Sequence, residues 1–71
     1  MIDSKVLRDI DDMLEVQLSS VQDDVSGEYM KGMYNGMEFV RAMMTNTEPV
    51  YVEKDGTLDE EAKERNPERY I

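Results

Sequence analysis

The stretch from Tyr29 to Met44 sets the terms on which this chain can fold. It reads as one helix, Tyr-Met-Lys-Gly-Met-Tyr-Asn-Gly-Met-Glu-Phe-Val-Arg-Ala-Met-Met, and is the most apolar and methionine-rich part of the sequence. At the α-helical pitch, Phe39, Gly32, Met43, Gly36, Tyr29, Val40, Met33, Met44, Met37 and Met30 follow one another in angular order across about half of the circumference. Glu38, Lys31, Ala42, Asn35 and Glu28 take the opposite side. A contact with one other helix covers a narrower seam than this arc, so more than one helix must be laid against it, from this chain or from another.

The arc has two edges with different chemistry. Gly32 and Gly36, extended by Phe39 and Met43, form the candidate helix-packing edge. A glycine inside a helix costs roughly 1 kcal/mol relative to alanine, and close backbone approach of another helix is the usual compensation. On this reading the first helix packs there and Gly36→Leu disrupts the fold; the alternative is a permissive exposed site or a bend. The other edge, Met30, Met33, Met37 and Met44, is the candidate partner face. Methionine fills irregular gaps and is over-used on promiscuous binding surfaces. Ordinary core packing accounts for Met33 and Met37, which leaves Met30 and Met44 for a partner.

Upstream, Leu7, Ile10, Leu14, Leu18, Val21 and Val25 recur in steps of three and four, the helical period. Asp3 or Ser4 can cap this first helix. Val6 and Met13 widen the stripe on one side, and acidic residues occupy the rest, as on a helix with one face in water. Asp23-Asp24-Val25-Ser26-Gly27 reads as a break in which Ser26 caps the next helix and Gly27 supplies a free backbone. So short a connection makes the two helices antiparallel neighbours.

The central helix is predicted to stop near Thr45-Asn46-Thr47, ahead of Pro49. Val50-Tyr51-Val52 has strand character without an obvious mate; it is expected to lie as an extended arm over the helices or to pair with a symmetry copy. Asp55-Gly56 is a turn dipeptide. Thr57-Leu58-Asp59-Glu60 matches a capping box for a short helix from Leu58 to about Arg65, with Glu61 and Arg65 as an i,i+4 pair. Asn66-Pro67 ends it, and Tyr70 and Ile71 could anchor a tail that otherwise frays after about Asp55. The expected organisation is thus a helical hairpin with its exit over residues 1–52, followed by an acidic turn, a short helix and a tail over 53–71.

Composition decides what holds such a chain together. A domain of 71 residues is small enough to need added support, and it has no cysteine and no histidine, which removes disulfides and every zinc site that depends on those ligands. Partner binding remains. The expected fold is mainly α, an antiparallel helical hairpin dimerising into a four-helix bundle; a host protein is the other candidate partner. No apolar run reaches the roughly 20 residues of a membrane span, and the reading is of a soluble, cytoplasmic protein.

The formal charge of −9 disfavours direct nucleic-acid binding. It is spread unevenly: residues 1–28 hold most of the acids of the first half, whereas Glu38 and Glu48 balance Lys31 and Arg41 in the centre. Asp9, Asp11, Asp12, Glu15, Asp23 and Asp24 form a candidate acidic face. Such a face either mimics phosphates to block a DNA-binding protein or only solvates the helix.

No catalytic signature is present. Ser-His-Asp and Cys-His sets lack their residue types, and Asp9-Ile-Asp11-Asp12 lacks the glycine and distal glutamate of a calcium loop. The expectation is a non-enzymatic interaction module with no cofactor and no metal, a helical adaptor or inhibitor, with DNA mimicry or a homo-oligomeric structural subunit as the alternatives.

Tyr29-x-x-Gly32-x-x-Asn35-Gly36-x-Glu38, followed by Glu48-Pro49-x-Tyr51, resembles a pattern in small acidic proteins of tailed bacteriophages. The resemblance covers about a third of the chain. It implies a phage origin and action in the infected bacterial cell, in the manner of a host-directed inhibitor, and carries over no active site.

Overall fold

The computed structural model of the protein describes residues 4–67 and Arg69. Two long helices, α1 (Ser4–Ser19) and α2 (Gly27–Thr45), pack against each other, and a short α3 (Glu60–Glu64) follows. The expected mainly helical fold built on a helical hairpin is present. The cap expected from Asp3 and the anchor expected from Tyr70 and Ile71 lie outside the described residues.

Helix α1 ends earlier than its apolar stripe. Leu14 and Val21 are buried, and Ile10 and Leu18 pack on them, but Val25 is 99% exposed because the chain has left the helix at Ser19. Val6 and Met13 are also half exposed. The connection is a run of tight turns in which Gly27 N–H donates to the Asp23 carbonyl. A Cβ at Gly27 would stand 2.6 Å from the Val21 carbonyl oxygen, so close approach rather than free backbone angles requires this glycine. Ser26 stands at the N-cap of α2 but makes no cap bond; its hydroxyl donates to Asp23 Oδ2.

Helix α2 stops where expected, and the cause is visible. Asn46 adopts left-handed angles (φ 56°, ψ 44°), and the Thr47 N–H reaches back to the Ala42 carbonyl at 2.9 Å. From there the chain returns along α2 as an extended arm in which Val50 and Val52 are buried. Val52 does have a mate, Leu58, in an isolated antiparallel bridge closed by the Asp55–Gly56 turn. Glu53 N–H donates to Thr57 O, Asp59 N–H donates to Tyr51 O, and Gly56 takes the positive φ (87°) that the turn demands. The mate lies only six positions on in the sequence, close enough for a tight turn to deliver it without a second strand elsewhere.

This pairing moves the start of the last helix. Leu58 is extended and packs on the core, so Asp59, not Thr57, caps α3, accepting from Glu61 N and Ala62 N. Thr57 is engaged by Asp55, which accepts from both its amide (3.0 Å) and its hydroxyl (2.7 Å). These bonds, the hydroxyl's first, hold the Asp55 carboxyl below its ordinary range. Arg65 does not pair with Glu61; its guanidinium binds Glu48 across the exit of α2, and that carboxylate raises it further above its ordinary value. Ala62 and Asn66 are buried, which docks this segment on the hairpin. The core is formed by Leu14, Val21, Tyr34 and Val52, with Ile10, Leu18, Met30, Met37 and Leu58 packed against them.

Candidate functional site

The arm lies on the side of α2 that the helical wheel assigns to solvent. Lys31, Asn35 and Glu38 recur one helical turn apart, and each binds the backbone of the arm. Lys31 Nζ donates to Lys54 O at 2.6 Å. Asn35 accepts from Val52 N (2.8 Å) and donates to Val52 O (3.3 Å), so its amide replaces a neighbouring strand's peptide group. Glu38 is fully buried; one carboxylate oxygen accepts from Val50 N (2.8 Å) and from Arg69 Nη1 (2.6 Å). An extended segment that has lost water on one side needs partners for its amides and carbonyls, and these three side chains provide them. Ala42, on the same side, is buried beside them.

Met37 packs in the core as expected, whereas Met30, Met33 and the glycine edge depart from the roles expected of them. Met30 and Met37 pack on the core against α1, and Gln17 Nε2 donates to Met37 Sδ across the helix pair at 3.1 Å. Met44 is half-buried, and Met33 is 37% exposed. The first helix does not meet the glycines: ideal Cβ atoms at Gly32 and Gly36 would have nothing within 4 Å. Phe39 (51%) and Met43 (67%) are exposed with them. The cause is the arm. It needs the polar side, which rotates α2 so that its Met30–Tyr34–Met37 flank faces α1 and its glycine flank faces out.

The outward arc therefore runs Phe39, Gly32, Met43, Gly36, Tyr29, Val40, Met33, and contains no charged side chain. All of its members are exposed. An open apolar groove of about 380 Å³, lined by Ile10 of α1 and by Gly32, Met33, Gly36, Met37 and Val40, runs along its border. Gly32 and Gly36 contribute no side chain to its wall. Among the described residues, the arm fills the groove on the polar side of α2, and the groove on the glycine side is open.

The candidate acids are dispersed. Asp11 is turned inward and binds the buried Arg41; Asp9 pairs with Lys5 at 2.9 Å; Asp12 and Glu15 are exposed on α1; Asp23 and Asp24 lie in the interhelix turn. A second cavity of about 390 Å³ is lined by Arg41, Arg65 and Arg69 with Thr45, Thr47 and Asn66, and Asp11, Glu48 and Glu38 pair with the three arginines in that order. Among the described residues there is no group of three carboxylates placed to hold a metal ion, and no helix is long and apolar enough to cross a membrane. No known protein family matches the chain, and neither a curated protein nor a solved structure is significantly similar to it.

The inner polar ladder is the part that wheel reasoning missed. A signal for it existed in the sequence: Val50-Tyr51-Val52 is a strand-like segment with backbone groups to satisfy, and Asn35 and Glu38 stand at helical spacing on the adjacent helix.

Proposed function

We propose that this chain is a non-enzymatic protein-interaction module that works through the outer face of α2, on which the helices of a second hairpin complete a four-helix bundle. The observation that carries this reading is the uncharged, exposed arc from Phe39 to Met33 beside an open apolar groove. Folded chains rarely leave a contiguous apolar patch beyond a few hundred Å² without a partner for it. A host-directed role of the kind implied by the phage resemblance would use the same face. The acidic surface supports the alternative less well, because Asp9 and Asp11 already have basic partners within the chain.

The test compares positions in the whole chain expressed in bacterial cells. A photo-reactive amino acid at Met43, on the outer face of α2, is expected to give a protein adduct on irradiation, and one at Asp12, on the acidic side of α1, is not. Adducts from Asp12 alone would overturn this reading in favour of a working acidic face.

A further inference from the structure

The outer face of α2 carries a pattern finer than apolarity. Tyr29, Gly32, Gly36, Phe39 and Met43 are separated by three, four, three and four residues. That alternation is the a/d spacing of a heptad, the seam along which helices wind together. Its three side chains stand 69%, 51% and 67% exposed in chain order, and among the described residues nothing lies within 4 Å of the two Cβ positions its glycines leave empty. Among the described residues the seam has no partner helix.

The seam is also a palindrome of sizes. Read in either direction from its midpoint between Gly32 and Gly36, it runs glycine, then aromatic ring. A helix that crosses another comes closest at the crossing point and diverges on both sides, so the complement of this surface has its smallest residues at the centre and its largest further out. An antiparallel copy of the same helix supplies that. In antiparallel pairing the a position of one helix faces the d position of the other, which sets Gly32 against Gly36 and Tyr29 against Phe39 of the second copy, and the reciprocal contacts follow by two-fold symmetry. Antiparallel alignment also sets each helix's positive end beside the other's negative end.

We infer that the occupant of this face is a second copy of the chain, its α2 packed antiparallel across Gly32 and Gly36. The inference rests on the reading of the outer face as the working surface. The area fits: from their exposures, Tyr29, Met33, Phe39, Val40 and Met43 present on the order of 600 Å² per copy, the larger part of the roughly 800 Å² per partner of a stable interface. The charge of −9 does not oppose it at the contact, because the seam is uncharged along its whole length. Aromatic rings from the second copy have a place to go in the groove bordered by Ile10, Met33, Met37 and Val40.

Because the chain has no cysteine, single-cysteine variants report the register directly. Tyr29→Cys and Phe39→Cys chains are oxidised separately and as an equal mixture, after circular dichroism has shown unchanged helicity. The mixture is expected to give the mixed disulfide dimer in at least tenfold excess over either variant alone, and the unmodified protein to sediment at twice its 8.3 kDa chain mass. Gly32→Leu, whose Cβ meets no described atom within 4 Å, is expected to keep its helicity and to weaken dimerisation at least tenfold. Efficient cross-linking of each variant with itself would overturn the antiparallel register in favour of a parallel one. A helical monomer at 100 μM would overturn self-pairing, and an adduct at Met43 to a different protein would do so while sparing the interaction-module reading. Loss of the Met43 adduct altogether would remove that reading as well.

Discussion

Along α2, the side under the arm carries Lys31, Asn35 and Glu38 and excludes water, whereas the side turned away carries Tyr29, Phe39, Val40 and Met43 and stands in it. Residue type alone predicts the reverse. The difference teaches that a side chain's surroundings follow what the neighbouring segment needs. An extended arm with a single bridge to its own chain brings unpaired amides and carbonyls to the helix, and burying them without partners costs more than burying a satisfied asparagine or glutamate. Among the described residues the apolar side has no such claimant.

That contrast can be broken most forcefully at Glu38. Glu38→Leu keeps the volume but takes the acceptor from the Val50 amide and breaks the ion pair with Arg69. Breaking a buried charged pair costs about 3 kcal/mol or more, which in a domain this small lowers Tm by roughly 15 °C. Thermal denaturation followed by circular dichroism checks it, and a shift of only a few degrees would mean that the inner face is not structural. Asn35→Ala removes both bonds to Val52 and is expected to cost about 1–3 kcal/mol, with faster hydrogen exchange at the Val52 amide as the local readout.

On the outer face the expected sign changes. Gly32→Ala adds a Cβ that meets nothing within 4 Å and gains helix propensity of about 1 kcal/mol. At dilutions where the chain is monomeric, urea unfolding should show a gain; a loss there would place a neighbour on the glycines.

The smallest effect belongs to the turn that carries the arm's return. Because the folded Asp55 carboxyl is depressed below its ordinary value by Thr57, its contribution is fully present above the unfolded pKa and is lost as pH falls through the folded one. In the native chain, an NMR titration of the Thr57 amide should follow Asp55 with a midpoint below 3.8. Asp55→Asn should abolish that acid-range transition. A midpoint at or above the ordinary value would detach the turn from the carboxylate.

Much of the architecture was legible in the sequence, because it rests on local signals. The three- and four-residue steps of Leu7 to Val21 gave α1, Asn46 ahead of Pro49 gave the end of α2, and Asp55-Gly56 gave the turn. The rotation of α2 was not legible. A helical wheel orders residues by angle but holds no information about a segment that arrives later in the chain, and the arm reversed the ranking of the two edges. Gly27 shows the same limit on a smaller scale. It is the helical glycine that close approach demands, and the carbonyl it approaches, Val21, lies outside the helix on which the wheel is drawn. The candidate surface itself was visible as an apolar arc, but which half of it the first helix consumes was decided by Glu38 and Asn35.

The polar ladder also has a bearing on how the protein is made. During synthesis from the N-terminus the two helices leave the ribosome before the arm does, and domains begin to fold as their parts emerge. For that interval the flank of α2 destined for burial is open, and Lys31, Asn35 and Glu38 keep it wettable until Val50, Val52, Lys54 and Arg69 arrive to claim it. The glycine-centred flank has no comparable protection. From the moment α2 forms that flank stands in water, and on the proposed self-pairing the yield of intact protein would follow how soon a neighbouring copy is within reach.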